Sequence, residues 1–175
     1  MAGVATFVVV VTLLHALQRD YDPAHQLMSE LAQGRHGGAM ILAFGGLAVA
    51  TIGIQHSIGA LGASPALRML LVAAALFFLA AGIFPLGETS EIHIAAIAGA
   101  FMLSVLSMYL FPAGSGNAST LAPRALSWPL AAGVAVSIAL GLSVVPMGIA
   151  QRLAALFLLV WLAIVGWRLS RKGFP

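Results

Sequence analysis

Apolar residues fill six long segments of the chain, and short polar stretches separate these segments. A helix needs about 20 apolar residues to cross a hydrocarbon core of ~30 Å. The pattern therefore predicts an all-α integral membrane protein, a single domain built as a six-helix transmembrane bundle. The first segment lacks the charged start and the cleavage site of a signal peptide, so we expect a membrane helix there. The predicted spans cover residues 2–17, 37–61, 66–84, 91–111, 125–145 and 149–169.

The first polar stretch, between the first two predicted spans, carries helix signals of its own. Asp22 is a favourable N-cap, Pro23 suits the first helical position and Gly34 is a natural stop. Apolar residues between them recur at i, i+3, i+4 and i+7, namely Ala24, Leu27, Met28 and Leu31. This spacing forms one apolar stripe. The stretch therefore predicts a short amphipathic helix over residues 23–33, lying at the membrane interface.

The composition supports the membrane class and excludes several others. The chain has 175 residues, of which 61% are hydrophobic and 7% are charged, whereas a soluble domain carries about 25% charged residues. The eight Lys and Arg residues are scattered, which does not indicate nucleic-acid binding. Cysteine is absent, so disulfides and thiolate ligands are excluded. In the second span, Gly45 and Gly46 predict close contact with another helix.

Loop charges predict the orientation of the bundle. With the N-terminus in the cytoplasm, five basic residues lie on the inner side, namely Arg68, Arg124, Arg168, Arg171 and Lys172. The outer side then has three, which are Arg19, Arg35 and Arg152. Cytoplasmic loops carry the excess of Lys and Arg in membrane proteins. We therefore expect both termini to be cytoplasmic.

This topology collects the polar residues on the outer side of the membrane. All five acids fall there: Asp20, Asp22, Glu30, Glu88 and Glu91. A one-sided cluster of ionisable groups predicts a binding site for a lipid or another amphipathic small molecule. Membrane lipids are the expected partners. The candidate ligand-binding residues are Asp22, His25, Ser29, Glu30, Glu88, Glu91, His93 and Arg152.

Two histidines of this cluster could hold a metal ion. His25 and His93, with a neighbouring carboxylate, offer ligands that suit catalytic zinc or non-haem iron. A metal-bound water could then attack a lipid ester or amide, as in a metal-dependent membrane hydrolase. The alternative is a hydrogen-bonded network that holds the predicted interfacial helix on the bundle. Haem is not expected, because His15 and His56 lie at opposite ends of their helices.

Ser29 offers a second possible chemistry. It follows His25 by one helical turn, with Asp22 nearby, which are the residue types of a nucleophile and its base. The alternative is a bond from the Ser29 hydroxyl to the carbonyl of His25.

Three arginines at the outer interface offer an anion site. Arg19, Arg35 and Arg152 could bind a phosphate, with Arg152 at the start of the last helix. The alternative is that each arginine pairs with a nearby acid or extends to the interface.

The order of motifs along the chain resembles one family. The motifs are Tyr21-Asp22-Pro23-x-His25, Ser29-Glu30-Leu31, Phe84-Pro85, His93, Gly148-x-x-Gln151-Arg152 and Trp161. In this set the chain resembles the six-helix membrane proteins grouped as domain of unknown function 998. One departure is that Leu86-Gly87 precede Glu88, where an acid is expected almost directly after Phe-Pro. The resemblance implies a bacterial or archaeal cytoplasmic-membrane protein and no settled activity.

Two classes of function follow from these observations. The first is a protein that binds or processes a lipid at the outer leaflet, with the candidate residues above. The second is a structural or accessory subunit that packs against a larger membrane complex or against further copies of the chain. Small size and short loops favour the second class, whereas the polar cluster favours the first.

Overall fold

The computed structural model describes residues 1–173, and helices make up most of this part of the chain. No strand occurs among these residues. The six α-helices are α1 (Ala2–Leu17), α2 (Met40–Gly59), α3 (Pro65–Ile83), α4 (Ser90–Gly114), α5 (Arg124–Gly141) and α6 (Met147–Ser170). Three short 3₁₀ helices lie in the connections, at Met28–Ala32, Gly37–Ala39 and Gly116–Leu121.

Five of the helices, α2 to α6, are long and apolar enough to cross a membrane. The protein therefore has the helices of an integral membrane protein. The remaining helix, α1, has 16 residues. At 1.5 Å per residue α1 is about 24 Å long, which is shorter than a ~30 Å hydrocarbon core.

Each predicted span corresponds to one α-helix, and the ends differ by more than two residues only in α2, α4 and α5. α2 begins three residues later than predicted, at Met40. The predicted span ends at residue 111, directly before Pro112, yet α4 continues to Gly114. Proline there removes only one bond of the last turn, and the N–H of Ser115 still bonds to the carbonyl of Phe111 at 3.0 Å. α5 ends at Gly141, four residues before the predicted end. The N–H groups of Val144 and Val145 both bond to Leu140, which turns the chain.

Consecutive helices pack against each other, and α6 also contacts α1 and α2. Gly3 of α1 and Gly46 of α2 allow a close approach of the two backbones. A Cβ atom on Gly3 would lie 2.2 Å from the carbonyl oxygen of Gly46, and one on Gly46 would lie 2.5 Å from that of Gly3. The close contact predicted at Gly46 is therefore present, whereas Gly45 meets nothing within 4 Å.

The bundle has two ends, which we name by their loops. The first-loop end carries residues 18–39, 84–89 and 142–146. The terminal end carries the N-terminus, residues 60–64 and 115–123, and the chain after α6. At the terminal end backbone groups join two loops, because the N–H of Ser64 bonds to Gly114 at 2.7 Å and that of Asn117 bonds to Leu61 at 2.9 Å.

The first loop differs from the amphipathic helix predicted over residues 23–33. Turns occupy residues 23–26, and a 3₁₀ helix follows at Met28–Ala32. The Glu30 carboxylate accepts the N–H of Leu27 at 2.8 Å and so caps the 3₁₀ helix at Leu27. The helix therefore begins at Met28 and not at residue 23 as predicted. The carbonyl of Ala24 accepts the N–H of Ile149 from α6 at 3.1 Å. The carbonyl of Ala24 therefore bonds to α6, whereas in an interfacial helix it would accept a bond from the helix itself. The structure does not confirm the predicted interfacial helix.

Candidate functional site

Arg152 joins the first turns of α6 to the first loop. Its Nη1 donates to the carbonyl of Gln26 at 3.0 Å and to that of Gly148 at 2.8 Å. Its Nη2 donates to His15 Nε2 at 3.0 Å and to the Tyr21 hydroxyl. Both terminal nitrogens are thus bonded within the protein. Sequence reasoning offered a phosphate or an acid as the partner of Arg152, and the structure instead gives it carbonyls, an imidazole and a phenol.

Tyr21 is the second member of this cluster. Its hydroxyl donates towards the carbonyl of Leu27 at 2.8 Å, with that of Gln26 at 3.1 Å. Its ring meets His15 edge-on, with the centroids 5.0 Å apart. Burial raises the pKa of the Tyr21 hydroxyl above its usual 10.0, although the hydrogen bond from Arg152 acts in the opposite direction. Tyr21 is therefore a neutral phenol at neutral pH.

His15 completes the cluster from the end of α1. Its Nδ1 lies 2.7 Å from the carbonyl oxygen of Val11 and its Nε2 lies 3.0 Å from Arg152. A carbonyl can only accept and a guanidinium can only donate. The geometry therefore assigns the proton to Nδ1 and the lone pair to Nε2. The sequence pointed to neither His15 nor Tyr21 as a site residue, although Tyr21 opens the first motif of the family resemblance.

Backbone contacts bring α6 still closer to the first loop. Gln151 Oε1 accepts the N–H of Met28 at 2.7 Å. A Cβ atom on Gly148 would lie 2.6 Å from the carbonyl oxygen of Gln26, 2.7 Å from that of Ala24 and 2.8 Å from that of Pro23. Only glycine fits there without movement of the loop. The motif Gly148-x-x-Gln151-Arg152 thus provides three successive contacts to one loop.

Asp22 and His25 lie on the outside of the loop. His25 Nδ1 is 2.7 Å from Asp22 Oδ2, and among residues 1–173 this is the one contact at salt-bridge distance between a basic and an acidic side chain. The hydrogen bond from His25 lowers the pKa of the Asp22 carboxyl, and the N–H of Ala24 acts in the same direction. Most of the His25 side chain, 70%, is exposed. Both residues are accessible to a ligand at the surface.

The predicted histidine pair has two unlike environments. His93 is 1% exposed, and its Nδ1 lies 2.9 Å from the carbonyl oxygens of both Ala81 and Phe84. Within the described chain, no group of three or more His, Asp or Glu side chains could hold a metal ion. Glu88 and Glu91, the acids nearest to His93 in sequence, are exposed. The structure therefore does not support the predicted zinc or iron site at His25 and His93.

Ser29 lies at a small apolar cavity between the 3₁₀ helix and the bundle. Phe7, Phe44 and Phe101 line this cavity together with Ser29 and Gln151. The Ser29 hydroxyl is buried and has no hydrogen-bond partner among the atoms described. It bonds neither to the imidazole of His25 nor to its carbonyl. The predicted bond to that carbonyl is therefore absent. The role of Ser29 as a nucleophile stays a prediction, and the structure shows no base bonded to its hydroxyl.

An open polar groove runs along the end of α1 and the first loop. It has a volume of about 690 Å³. The polar side chains that line it are Gln18, Arg19, Asp20, Tyr21, Gln26, Glu30, Gln33 and Arg35. Gln18 Nε2 donates to the carbonyl of Leu31 at 2.9 Å and to that of Arg35 at 3.0 Å. These bonds connect the end of α1 to the first loop. Of the candidate ligand-binding residues, Glu30 lines this groove, while Asp22 and His25 lie in the same loop.

Comparison with known proteins identifies the family. The family described as "Protein of unknown function (DUF998)" matches residues 1–168. The chain therefore belongs to this family, as the order of its motifs predicted. No curated protein and no solved structure matches the chain. A function must accordingly be argued from the geometry of the chain itself.

Proposed function

We propose that this chain is a six-span membrane protein that binds the phosphate-bearing head group of an amphipathic lipid in the groove along its first loop. The proposal is one of binding rather than of catalysis. In it, α1 forms the sixth span, and its short apolar length is accommodated by local thinning of the bilayer and by Arg19 reaching the interface.

The observation that carries the proposal is a pair of arginines on the groove. Arg19 and Arg35 both line it, and neither side chain has a hydrogen bond or an ion pair in the described part of the chain. A guanidinium presents a planar fork of N–H donors that matches a phosphate. The groove volume of about 690 Å³ lies within the range of small-molecule sites.

The acids on the same groove refine the class of ligand. Asp20 and Glu30 line it together with the two arginines. Carboxylates repel a bare phosphate, whereas they accept hydrogen bonds from an amine or a hydroxyl. A head group that carries both a phosphate and such a donor is therefore the best fit. Ethanolamine and glycerol phospholipids have this chemistry.

The position of the groove in the membrane follows the charge distribution. The terminal end has five basic side chains, and the first-loop end has three. By the positive-inside rule, the groove lies at the outer leaflet and both termini lie in the cytoplasm. We place the protein in a bacterial or archaeal cytoplasmic membrane because of the family resemblance.

The proposal is tested by titration with short-chain phosphatidylethanolamine, with bound lipid counted by native mass spectrometry. The double variant Arg19→Gln, Arg35→Gln should bind about tenfold more weakly, the size expected for the loss of two interfacial ion pairs. The matched control is Arg171→Gln, Lys172→Gln, which removes the same charge at the terminal end. Equal binding by both double variants and the wild type would overturn the proposal.

A structural or accessory role is the second candidate, and the Arg152 cluster favours it. There the polar groups of His15, Tyr21 and Arg152 bond to one another and to the loop, as expected of groups that maintain a fold. A partner subunit or a second copy would then be the relevant ligand. This candidate predicts that the wild type binds no lipid more tightly than the Arg19→Gln, Arg35→Gln variant does.

A further inference from the structure

A second groove lies between α4 and α5, on a face that the bundle leaves open. It has a volume of about 560 Å³, and apolar and aromatic residues line it. Met102 and Leu106 form its α4 wall, whereas Ala132 and Ala135 form a low α5 wall. Small side chains on one wall leave room for a chain-like occupant. The groove runs from Met102 to Tyr109, seven residues of helix or about 10 Å.

An aromatic pair closes one end of this groove. The rings of Tyr109 and Trp128 are stacked, with centroids 5.2 Å apart and planes 14° apart. The indole N–H of Trp128 donates to the carbonyl of Tyr109 at 3.1 Å, which fixes the ring. Arg124, one turn before Trp128, places its guanidinium 5.3 Å from the Trp128 ring centroid. The two rings and the guanidinium therefore form one cluster at the groove end.

The charge of Arg124 is not compensated within the described chain. Its side chain is exposed and has no hydrogen bond or ion pair there. All five acids lie in the first loop or at residues 88–91, which are at the opposite end of the bundle. A guanidinium that stacks on an indole keeps its N–H edge free for an oxyanion. The end of the groove is therefore complementary to an anion.

We propose that this groove binds a phospholipid, with the phosphate on the Arg124 guanidinium and one acyl chain between α4 and α5. The site lies at the terminal end, in the leaflet opposite to the first-loop groove, and does not depend on that site. A second copy of the chain fits less well. A two-fold axis at this groove would place the terminal ends of the two copies side by side. The charged side chains of this end are all basic, so the two copies would repel each other there.

The test compares lipid retention in nanodiscs by native mass spectrometry, with phosphatidylglycerol and diacylglycerol of the same chains as probes. In the Arg19→Gln, Arg35→Gln background, which removes the arginines of the first-loop groove, Arg124→Gln should reduce retained phosphatidylglycerol about fivefold, the size expected for one interfacial ion pair, and leave diacylglycerol unchanged. Ala132→Leu, at an exposed position of the groove wall, should reduce the retention of both lipids.

The matched control is Arg171→Gln. The Arg171 guanidinium lies 4.3 Å from the Trp167 ring centroid, so it stacks on a tryptophan outside this groove. Phosphatidylglycerol retention should be unchanged in this variant. Equal losses in Arg124→Gln and Arg171→Gln would overturn the proposal, because they would indicate a general surface charge effect. A dimer that Ala132→Leu dissociates, with lipid retention unchanged, would assign the groove to a second copy instead.

Discussion

The two ends of α6 hold their neighbouring loops in different ways, although each end uses a half-buried arginine. At the first-loop end, Arg152 bonds to two carbonyls, to His15 and to Tyr21. At the terminal end, Arg168 bonds to the carbonyl of Leu121 at 2.6 Å. Arg152 thus takes part in a network of several hydrogen bonds, whereas Arg168, 16 residues later in the same helix, makes a single one.

The difference lies in what else holds each loop. At the terminal end, backbone groups of residues 61–64 and 114–117 bond to one another. Gly116 makes this possible for two reasons. Its φ of +58° is favourable for glycine, and a Cβ atom at this position would lie only 2.6 Å from two carbonyl oxygens. Among the described residues, one backbone bond, from the N–H of Ile149 to the carbonyl of Ala24, joins the first loop to α6. The other hydrogen bonds between them involve the side chains of Gln151 and Arg152. We therefore expect the first-loop end to be the more sensitive to substitution and to pH.

The largest expected effect comes from removal of the two arginines. Arg152→Ala should lower the free energy of unfolding by about 3 kcal/mol, because it leaves several partners unpaired. Arg168→Ala should cost about 1 kcal/mol, the value of one hydrogen bond. Chemical denaturation in detergent measures both values. Equal losses would remove the distinction between the two ends.

Two glycines of α6 sharpen the same comparison. Gly148→Ala should cost about 2 kcal/mol, because its Cβ meets three backbone carbonyls that cannot move aside without the loop. Gly166→Ala, near the other end, should be neutral or slightly stabilising, because its Cβ meets only the Met1 sulfur at 3.6 Å. Thermal unfolding of both variants in one detergent provides the measurement. A tolerated Gly148→Ala would show that the loop does not pack on α6 as described.

The smallest expected effect is a pH dependence at Tyr21. The folded protein holds the phenol proton more tightly than the unfolded chain, because burial raises the Tyr21 pKa above 10.0. The resulting stability is fully present below pH 10 and is lost as the pH rises above that value. Tyr21→Phe should cost about 1 kcal/mol at neutral pH through its lost hydrogen bonds. The variant should also show less loss at alkaline pH than the wild type, and equal alkaline losses would contradict this assignment.

The sequence predicts the helices well because their signals are local. Residues 2–17 form one apolar run before Gln18 and Arg19, and α1 has the same bounds. The first loop was predicted as a helix because its own spacing and caps favour one. The outcome was decided by three residues of α6 that are more than 120 residues away in sequence. Ile149 and Gln151 bond to the loop backbone, and Gly148 allows its carbonyls to approach α6 closely. Contacts of this kind leave no periodic signal in the loop itself.

The sequence predicted only part of the candidate site, because the contacts between distant residues leave no local signal. The sequence located the polar loop and its acids, and it named Arg19 and Arg35 as possible anion ligands. It did not predict that Arg152 is bonded internally, because a guanidinium near five acids suggests an ion pair. It also paired His25 with His93, yet the first is exposed on the loop and the second is buried at the start of α4. The ligand-binding roles of the candidate residues stay predictions.

The most direct test of the central claim is hydrogen–deuterium exchange at the amides of Met28 and Ile149. These N–H groups bond to Gln151 and to Ala24, so they report whether the first loop is docked on α6. We predict slow exchange of both amides in the wild type, and roughly a hundredfold faster exchange in Arg152→Lys. Arg168→Lys should leave both rates unchanged. Fast exchange of both amides in the wild type would contradict the docked loop and the groove that depends on it.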